Sequence, residues 1–349
     1  MLTLYVDEPR WRRHLASVVE AQPRIVPVAK GNGYGFGNAR LAAVAEELGA
    51  DTLAVGTYAE VTDVLDAFTG DVLVLTPWRP FETRAAYGPR IVHTVGRLED
   101  LAALSEMGEH GTRPRVVLEL ITSMLRHGFT ARGLREAADH LHGVEVEGFA
   151  LHLPIGQGSH VDEVHRLMTD VVASGIDARR VFVSHLTDDE MTTLTSSYAD
   201  FELRPRIGTR LWLGDRGALE ARATVLDVHE VQRGDVFGYR GRSAPKAGHL
   251  LVVSGGTAHG IGLEAPTGGA TLRDRAARVA KGGLDAAGFV RSPFTVDGKQ
   301  RLFGEPPHMQ ASMLFLPLGA HVPAVGDEVT VQVRFTATAF DDLVRIAVG

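Results

Sequence analysis

The sequence predicts an α/β fold in which a (β/α)8, TIM-like barrel is followed by a mostly β C-terminal domain. Short apolar runs rich in Val and Ile recur along the first 208 residues, and stretches with helical periodicity separate most of them. After about Leu213 the pattern changes to short strands separated by Gly, Pro and Asp turns. Alternating strands and helices are typical of a parallel barrel, and closely spaced strands are typical of a β domain. We therefore expect a barrel over residues 1–215 and a β domain over 216–349.

Eight runs are predicted to form the barrel, because strands that are buried on both faces are continuously apolar. These runs are 25–29, 52–56, 72–76, 91–94, 116–120, 146–153, 181–186 and 203–208. Two stretches between them, 38–50 and 131–143, have the apolar spacing of helices, and Thr130 is the expected N-cap of the second. In the β domain we expect strands within 222–231, 235–241, 249–256, 308–318 and 328–335, and a short helix over 272–283.

The composition excludes several classes of function. The 349 residues are 44% hydrophobic and 23% charged, which is typical of a soluble globular protein. The formal net charge of -7 argues against nucleic-acid binding. No uncharged apolar stretch is long enough to span a membrane, and the first residues lack the apolar core of a signal peptide. The chain has no cysteine, so disulfides and thiolate metal sites are excluded, and we expect no metal centre and a cytoplasmic location.

A glycine-rich stretch follows the first predicted barrel strand. In VPVAKGNGYGFGN, Lys30 ends the strand, and glycines then occupy every second position. The C-terminal ends of barrel strands form the mouth at which barrel enzymes act. Partial desolvation there would lower the pKa of the lysine and make its amine a nucleophile toward an aldehyde. The glycines would let the backbone approach a ligand, and Tyr34 could donate its hydroxyl to a phosphate. A tight turn with a solvated lysine is the alternative interpretation of the stretch alone.

The segment AKGNGYGFG resembles the cofactor-binding lysine motif of the alanine racemase family. The resemblance continues in order through both predicted domains and so covers nearly the whole chain. It implies a (β/α)8 barrel with a β domain, a homodimer with shared active sites, and pyridoxal 5'-phosphate (PLP) as the cofactor. It also implies a racemase that acts on alanine or a related small amino acid. Lys30 would form the internal aldimine with PLP and act as the base on one face of the substrate.

Further motifs of the barrel carry the resemblance. ELITSMLRHGF (119–129) is similar to the family's fifth-strand motif, so Arg126 is expected to bind the ring oxygen of PLP and the substrate. Glu119 stands where the family has a carbamylated lysine that orients this arginine, and its carboxylate would replace the carbamate. FALHLPIG (149–156) places His152 near the cofactor, although a histidine bonded within the core is the alternative.

The last two predicted barrel strands and the residues that follow them contribute the remaining cofactor residues. LRPRIGTRLWLG (203–214) resembles a family segment in which Arg206 would face the pyridine nitrogen, and Gly208 and Thr209 would hold the phosphate. Another phosphate contact is expected from Ser184, with Thr187 as the alternative. Arg204 and Arg210 are expected to be surface charges.

The β domain follows the family pattern with one large departure. PHMQASM (307–313) resembles a motif from which Met309 would offer its backbone amide to the substrate carboxylate. The family has two tyrosines four residues apart where this chain has Tyr239 and Ser243, and the second tyrosine is a catalytic base. Serine cannot replace a phenol unaided. Tyr239 is therefore the expected second base, and His259, His308 or a water held by Ser243 are the alternatives.

Two other functions are compatible with the sequence. The departure at Ser243 favours a PLP-binding protein that has lost racemisation and performs another α-carbon reaction or acts as a carrier or regulator. A binding or interaction protein of the same fold without a cofactor is the third hypothesis. The ordered match of Lys30, Tyr34, Arg126 and Arg206 at separate strand ends argues against the third.

Overall fold

The computed structural model describes residues 1–82, 88–109, 111–156, 158–263 and 290–347. The chain divides into two compact units, a barrel unit of Arg12–Gly214 and a β unit of Met1–Trp11 with Asp215–Gly349. Residues 1–11, which were expected to belong to the barrel domain, thus group with the β unit. The helix expected over 272–283 lies outside the described residues. No helix in the described ranges is both long and apolar enough to cross a membrane.

The barrel unit confirms the predicted fold class. Eight parallel strands close into a barrel, and the first pairs with the last through Val26↔Arg206 and Pro27↔Ile207. The strands are β2 (Val26–Ala29), β3 (Thr52–Val55), β4 (Asp71–Val74), β5 (Ile91–Val95), β6 (Arg115–Leu120), β7 (Glu145–His152), β8 (Arg180–Ser184) and β9 (Glu202–Ile207). All eight predicted runs form these strands.

Helices lie between most of the barrel strands. These helices are α2 (Asn38–Glu47), α3 (Val61–Leu65), α4 (Leu98–Glu109), α5 (Ala131–Ala137), α6 (Val161–Ala173) and α7 (Asp188–Ser197), while α1 (Glu8–Ala21) precedes β2 and α8 (Thr209–Leu213) follows β9. The predicted helices at 38–50 and 131–143 correspond to α2 and α5. The N-cap prediction is confirmed, because the Thr130 side chain accepts a hydrogen bond from Gly133 N.

Small and branched apolar side chains fill the inside of the barrel. A single buried cluster collects side chains from seven of the strands, namely Val26, Val28, Ala54, Leu73, Val92, Val117, Ala150 and Phe182. Successive side chains of a strand point to opposite faces, so the residue two positions after each of these also faces the interior. These inward-facing rows of side chains extend to the C-terminal ends of the strands, which form the mouth of the barrel.

Arg204 corrects one expectation. Its side chain is buried, with 2% of its surface exposed, and it is not a surface charge. Its guanidinium forms an ion pair with Asp51, donates a 3.2 Å hydrogen bond to Thr52 Oγ1, and lies 5.7 Å from the centre of the Phe182 ring. Because Asp51 and Thr52 stand where β3 begins, Arg204 closes the end of the barrel opposite the mouth. Arg210, by contrast, is exposed and pairs with Asp188 at 2.8 Å.

The β unit is built on one mixed sheet. Its order is β13-β16-β15-β14-β17-β10-β1-β18 among the described residues, and β11 and β12 form a separate two-stranded hairpin. The strands are β1 (Leu2–Asp7), β10 (Leu219–Val231), β11 (Val236–Phe237), β12 (Arg242–Ser243), β13 (Gly248–Ser254), β14 (Arg291–Val296), β15 (Lys299–Phe303), β16 (Ala311–Pro317), β17 (Glu328–Val331) and β18 (Asp342–Ile346).

Candidate active site

Four of the expected site residues occupy interior positions at the mouth. Each lies two residues after a member of the interior cluster, so its side chain continues the inward row of its own strand. The pairs are Lys30 after Val28, Glu119 after Val117, His152 after Ala150, and Ser184 after Phe182. The alternation of each strand therefore brings these four side chains to one end of the barrel.

Lys30 follows β2 and is accessible to solvent at the mouth. Its pKa is lowered, first because the surrounding barrel wall removes water from the amine, and then because the Arg126 and Arg206 guanidiniums disfavour another positive charge. The Glu60 carboxylate opposes this effect. A lysine with a lowered pKa has a larger neutral fraction, and the neutral amine is the nucleophile.

The glycine-rich stretch is a loop of left-handed backbone. Gly31, Gly33, Gly35 and Gly37 have φ between 60° and 91°, and Tyr34 has φ 55°. Such angles favour glycine, since other residues meet steric conflict with their own backbone. At Gly33 a Cβ would also lie only 2.6 Å from Asn38 N. The alternating glycines are therefore needed for this turn, which carries the chain from Lys30 to α2.

Tyr34, Gly208 and Thr209 form one cluster beside β2 and β9. Tyr34 is buried, and its hydroxyl hydrogen-bonds with the side chain of Thr209. Burial raises the pKa of Tyr34 to about 12, so the phenol keeps its proton and can donate it. A Cβ on Gly208 would collide with the Tyr34 hydroxyl, which requires glycine at 208. A phenol, a threonine hydroxyl and a glycine thus come together at this point of the barrel.

Glu119 and Arg206 are opposite charges inside the barrel. Only 2% of Glu119 and 6% of Arg206 are exposed, and Glu119 Oε2 and Arg206 Nε have no hydrogen-bond partner within the described residues. Arg206 donates one bond of 3.1 Å to Leu151 O. Burial raises the pKa of Glu119 and lowers that of Arg206 to about 10, and each charge opposes the shift of the other. Arg126 is exposed, and its charge lowers the pKa of Glu119 less than the charge of Arg206 does.

His152 and Ser184 are joined across neighbouring strands. The Ser184 hydroxyl lies 2.8 Å from His152 Nδ1, and the His152 ring packs 5.1 Å from the ring of His185. Burial, and then the charges of Arg206 and Arg126, lower the pKa of His152 to about 3, so the imidazole is neutral at physiological pH. Thr187 takes part in the capping box of α7 with Glu190. This leaves Ser184, rather than Thr187, among the interior side chains of the mouth.

In the β unit, Tyr239 lies at the tip of the β11–β12 hairpin and is 87% exposed. Its ring packs against His308, with the ring centres 4.4 Å apart, and its amide donates a 3.2 Å hydrogen bond to Glu305 Oε1. Glu305 is 2% exposed and also contacts His308 Nε2 at 2.5 Å. A buried carboxylate therefore holds both the tyrosine and the histidine.

The other candidates for the second base in the β unit differ in their exposure and in the hydrogen bonds that they already make. His259 is buried, with Nε2 3.0 Å from Asp341 Oδ1 and Nδ1 accepting a bond from Gly256 N. Both ring nitrogens are therefore used within the fold. Ser243 is exposed in β12 opposite Val236, and Met309 is exposed after His308.

The sequence interpretation missed Glu60, a half-buried residue beside Lys30. Its carboxylate accepts hydrogen bonds from Gly31 N and Gly56 N at 3.0 and 2.7 Å. The spacing of Thr57 and Glu60, a capping box at the start of a short helical segment, could have indicated it.

The family model for the alanine racemase N-terminal domain matches residues 10–199, which is more than half of the chain. The chain belongs to the alanine racemase family. An alanine racemase of Cutibacterium acnes is 31% identical over 159 residues, which cover 44% of this chain and only 42% of that relative. The match therefore spans about two fifths of the relative's length.

Two solved structures have the same fold as this alanine racemase family member. Alanine racemase from Bartonella henselae with covalently bound pyridoxal phosphate has a TM-score of 0.72 and 15% identity, and the match covers 99% of both chains. A histidine racemase from Leuconostoc mesenteroides has a TM-score of 0.69 and 18% identity, with coverage of 100% of this chain and 98% of that one. At these identities the likeness establishes a shared fold, namely the barrel followed by the β domain.

Proposed function

We propose that this protein is a PLP-dependent amino-acid racemase that interconverts the enantiomers of alanine or a related amino acid. The observation that carries the proposal is the Lys30 amine, which has a lowered pKa and stands at the barrel mouth of an alanine racemase family chain. A neutral amine is what covalent attachment of an aldehyde cofactor requires.

The residues at the mouth fit PLP. Tyr34 and Thr209 offer hydroxyls beside Gly208, which suits a phosphate. Arg206 Nε and Glu119 Oε2 are buried polar atoms without a hydrogen-bond partner among the residues that the structure describes, and buried polar atoms need one. The Arg126 and Arg206 guanidiniums, both close enough to lower the pKa of Lys30, offer positive charge to an anionic cofactor.

Bound PLP would supply an electron sink that acidifies the α-proton of an attached amino acid. Lys30 Nζ would remove and return this proton on one face. Arg126 would bind the ring oxygen of the cofactor and the substrate carboxylate, and Arg206 would donate a hydrogen bond to the ring nitrogen without yielding a proton. Glu119 would balance the charge of Arg206, and His152 with Ser184 would line the cofactor site, where Ser184 would contact the phosphate.

The opposite face needs a second acid–base group. We assign this role to Tyr239, delivered from the second subunit of a homodimer, with Met309 offering its backbone amide to the substrate carboxylate. The exposure of Tyr239 and its support by Glu305 and His308 favour this role. The engagement of both His259 nitrogens argues against His259. A cytoplasmic location stays a prediction.

A second candidate function keeps PLP without racemisation. It is favoured by Ser243, which stands where the family resemblance calls for the catalytic tyrosine. The two candidates differ in one product, the opposite enantiomer.

Exchange of the α-proton in deuterated water tests the proposal. PLP-loaded protein is incubated separately with L- and D-alanine and with both enantiomers of other small amino acids. We expect α-deuterium and the opposite enantiomer from at least one pair. Deuterium incorporation without inversion would support the second candidate, and neither deuterium nor inversion with any amino acid would contradict the racemase.

A further inference from the structure

Glu60 bridges the loops that follow two neighbouring barrel strands. One carboxylate oxygen, Oε1, accepts a 3.0 Å hydrogen bond from Gly31 N in the loop after β2. The other, Oε2, accepts bonds from Gly56 N at 2.7 Å and from Thr57 N at 3.3 Å, both in the loop after β3. A single side chain therefore ties together the two loops at this part of the mouth.

The loop residues that Glu60 binds are direct neighbours of Lys30. Ala29 pairs with Val55 in the parallel register, so Lys30 and Gly56 are the next residues on adjacent strands. A Cβ on Gly56 would lie 3.0 Å from Lys30 Cβ and 2.9 Å from Glu60 Oε2. The stem of Lys30 and the Glu60 carboxylate thus both pack around the position that a side chain at residue 56 would occupy.

Helix capping does not account for these bonds. In a capping box the glutamate needs to accept only the N–H of the N-cap residue, which here is Thr57. That bond is the longest of the three. The two shorter bonds go to Gly31 and Gly56, which flank Lys30 along the chain and across the sheet.

Glu60 is also a charge partner of Lys30. Burial and the charges of Arg126 and Arg206 lower the pKa of the lysine, and Glu60 raises it. A change at position 60 therefore has an electrostatic effect on the amine besides its mechanical one.

We propose that Glu60 is a positioning residue that fixes the loop bearing Lys30 against the loop after β3, so that the amine is held at the mouth for cofactor attachment. This inference rests on the proposed function only in that Lys30 is the residue that receives PLP.

The first test measures amide hydrogen exchange of the ligand-free protein. In Glu60→Gln one acceptor oxygen becomes an NH2 donor, so three backbone N–H groups compete for a single oxygen. We expect peptides that contain Gly31 or Gly56 to exchange about tenfold faster, the factor expected for loss of one hydrogen bond to a charged group. Glu46→Gln is the matched control, because Glu46 also accepts from a backbone amide, Thr69 N at 2.8 Å, but lies away from the mouth.

The second test titrates PLP, traps it with borohydride and maps the labelled lysine. We expect Glu60→Gln to need about tenfold more PLP for half-labelling of Lys30 at saturating pH. We also expect its pH midpoint for labelling to move down, because the carboxylate no longer raises the pKa of the amine. Glu46→Gln should match the wild type in both.

The outcomes separate the two proposals. Unchanged exchange at Gly31 and Gly56, or an unchanged half-labelling concentration and pH midpoint, in Glu60→Gln would overturn the positioning role. Failure of the wild type to be labelled at Lys30 would overturn the proposed function, while the exchange experiment would still decide whether Glu60 holds the loop.

Discussion

Substitution of Gly208 by alanine is the sharpest perturbation of the proposed phosphate site. The new methyl group would overlap the Tyr34 hydroxyl, and it would lie 2.8 Å from Tyr34 Cζ and 3.3 Å from Val28 Cβ. Favourable contacts between heavy atoms lie near 3.5–4.0 Å, so the tyrosine must move. The φ angle of Gly208 is -113°, which is outside the left-handed region that favours glycine.

The cost of this substitution follows from two contributions. Overpacking of a buried site costs about 1–3 kcal/mol, and loss of the Tyr34–Thr209 hydrogen bond costs about 1 kcal/mol. We expect Gly208→Ala to lower the free energy of unfolding by about 2–4 kcal/mol. If the displaced tyrosine also loses its hydrogen bond to the phosphate, PLP affinity should fall by about 30-fold or more, the factor that corresponds to 2 kcal/mol.

Denaturant unfolding and spectroscopic PLP titration measure the two effects. Gly133→Ala is the control, because a Cβ there lies 3.4 Å or more from its neighbours and alanine suits a helix. Tyr34→Phe in the Gly208→Ala background should recover part of the stability, since the closest atom is removed. Stability and PLP affinity equal to those of Gly133→Ala would refute the placement of Tyr34 over Gly208.

Three further predictions concern the side chains of Glu119, Asp51 and Tyr239. Because burial raises the pKa of Glu119 above 4.5, the folded state keeps this proton longer than the unfolded chain. The wild type should therefore lose stability relative to Glu119→Gln as pH rises above 4.5, and a difference that does not change with pH in denaturant unfolding would contradict this. Asp51→Ala should destabilise the protein by about 2 kcal/mol, since it removes the shortest carboxylate contact of the buried Arg204 guanidinium and leaves only Glu202 at 3.9 Å as an ion-pair partner within the described residues, whereas a change within about 0.5 kcal/mol would argue against the Asp51 ion pair. Tyr239→Phe should slow α-deuterium incorporation from one alanine enantiomer by about 100-fold or more and spare the other, and equal slowing of both would exclude Tyr239 as a one-face base.

Much of the barrel was predictable because its signals are local. Each barrel strand is a continuous apolar run, since both of its faces are buried. Once the strands are known, the alternation of side chains also orients the site, because Lys30 and Glu119 lie two positions after interior valines.

The features that were missed depend on partners far away in the chain. The strand β1 pairs with β10 and β18, so that Leu2 lies opposite Ala223, and nothing local in LTLYVD indicates those partners. In the sequence Arg204 has the appearance of a surface charge, because its partner Asp51 comes close only when the barrel closes. Glu60 shows a capping spacing in the sequence, but its bond to Gly31 exists only because β2 and β3 are neighbours.

The most direct measurement of the central claim is borohydride reduction of the PLP-loaded wild type followed by mass mapping. The chain contains four lysines, Lys30, Lys246, Lys281 and Lys299, so the modified residue is readily assigned. The account predicts a single phosphopyridoxyl group on Lys30 and none in Lys30→Ala. Labelling of another lysine, or labelling that persists in Lys30→Ala, would contradict it.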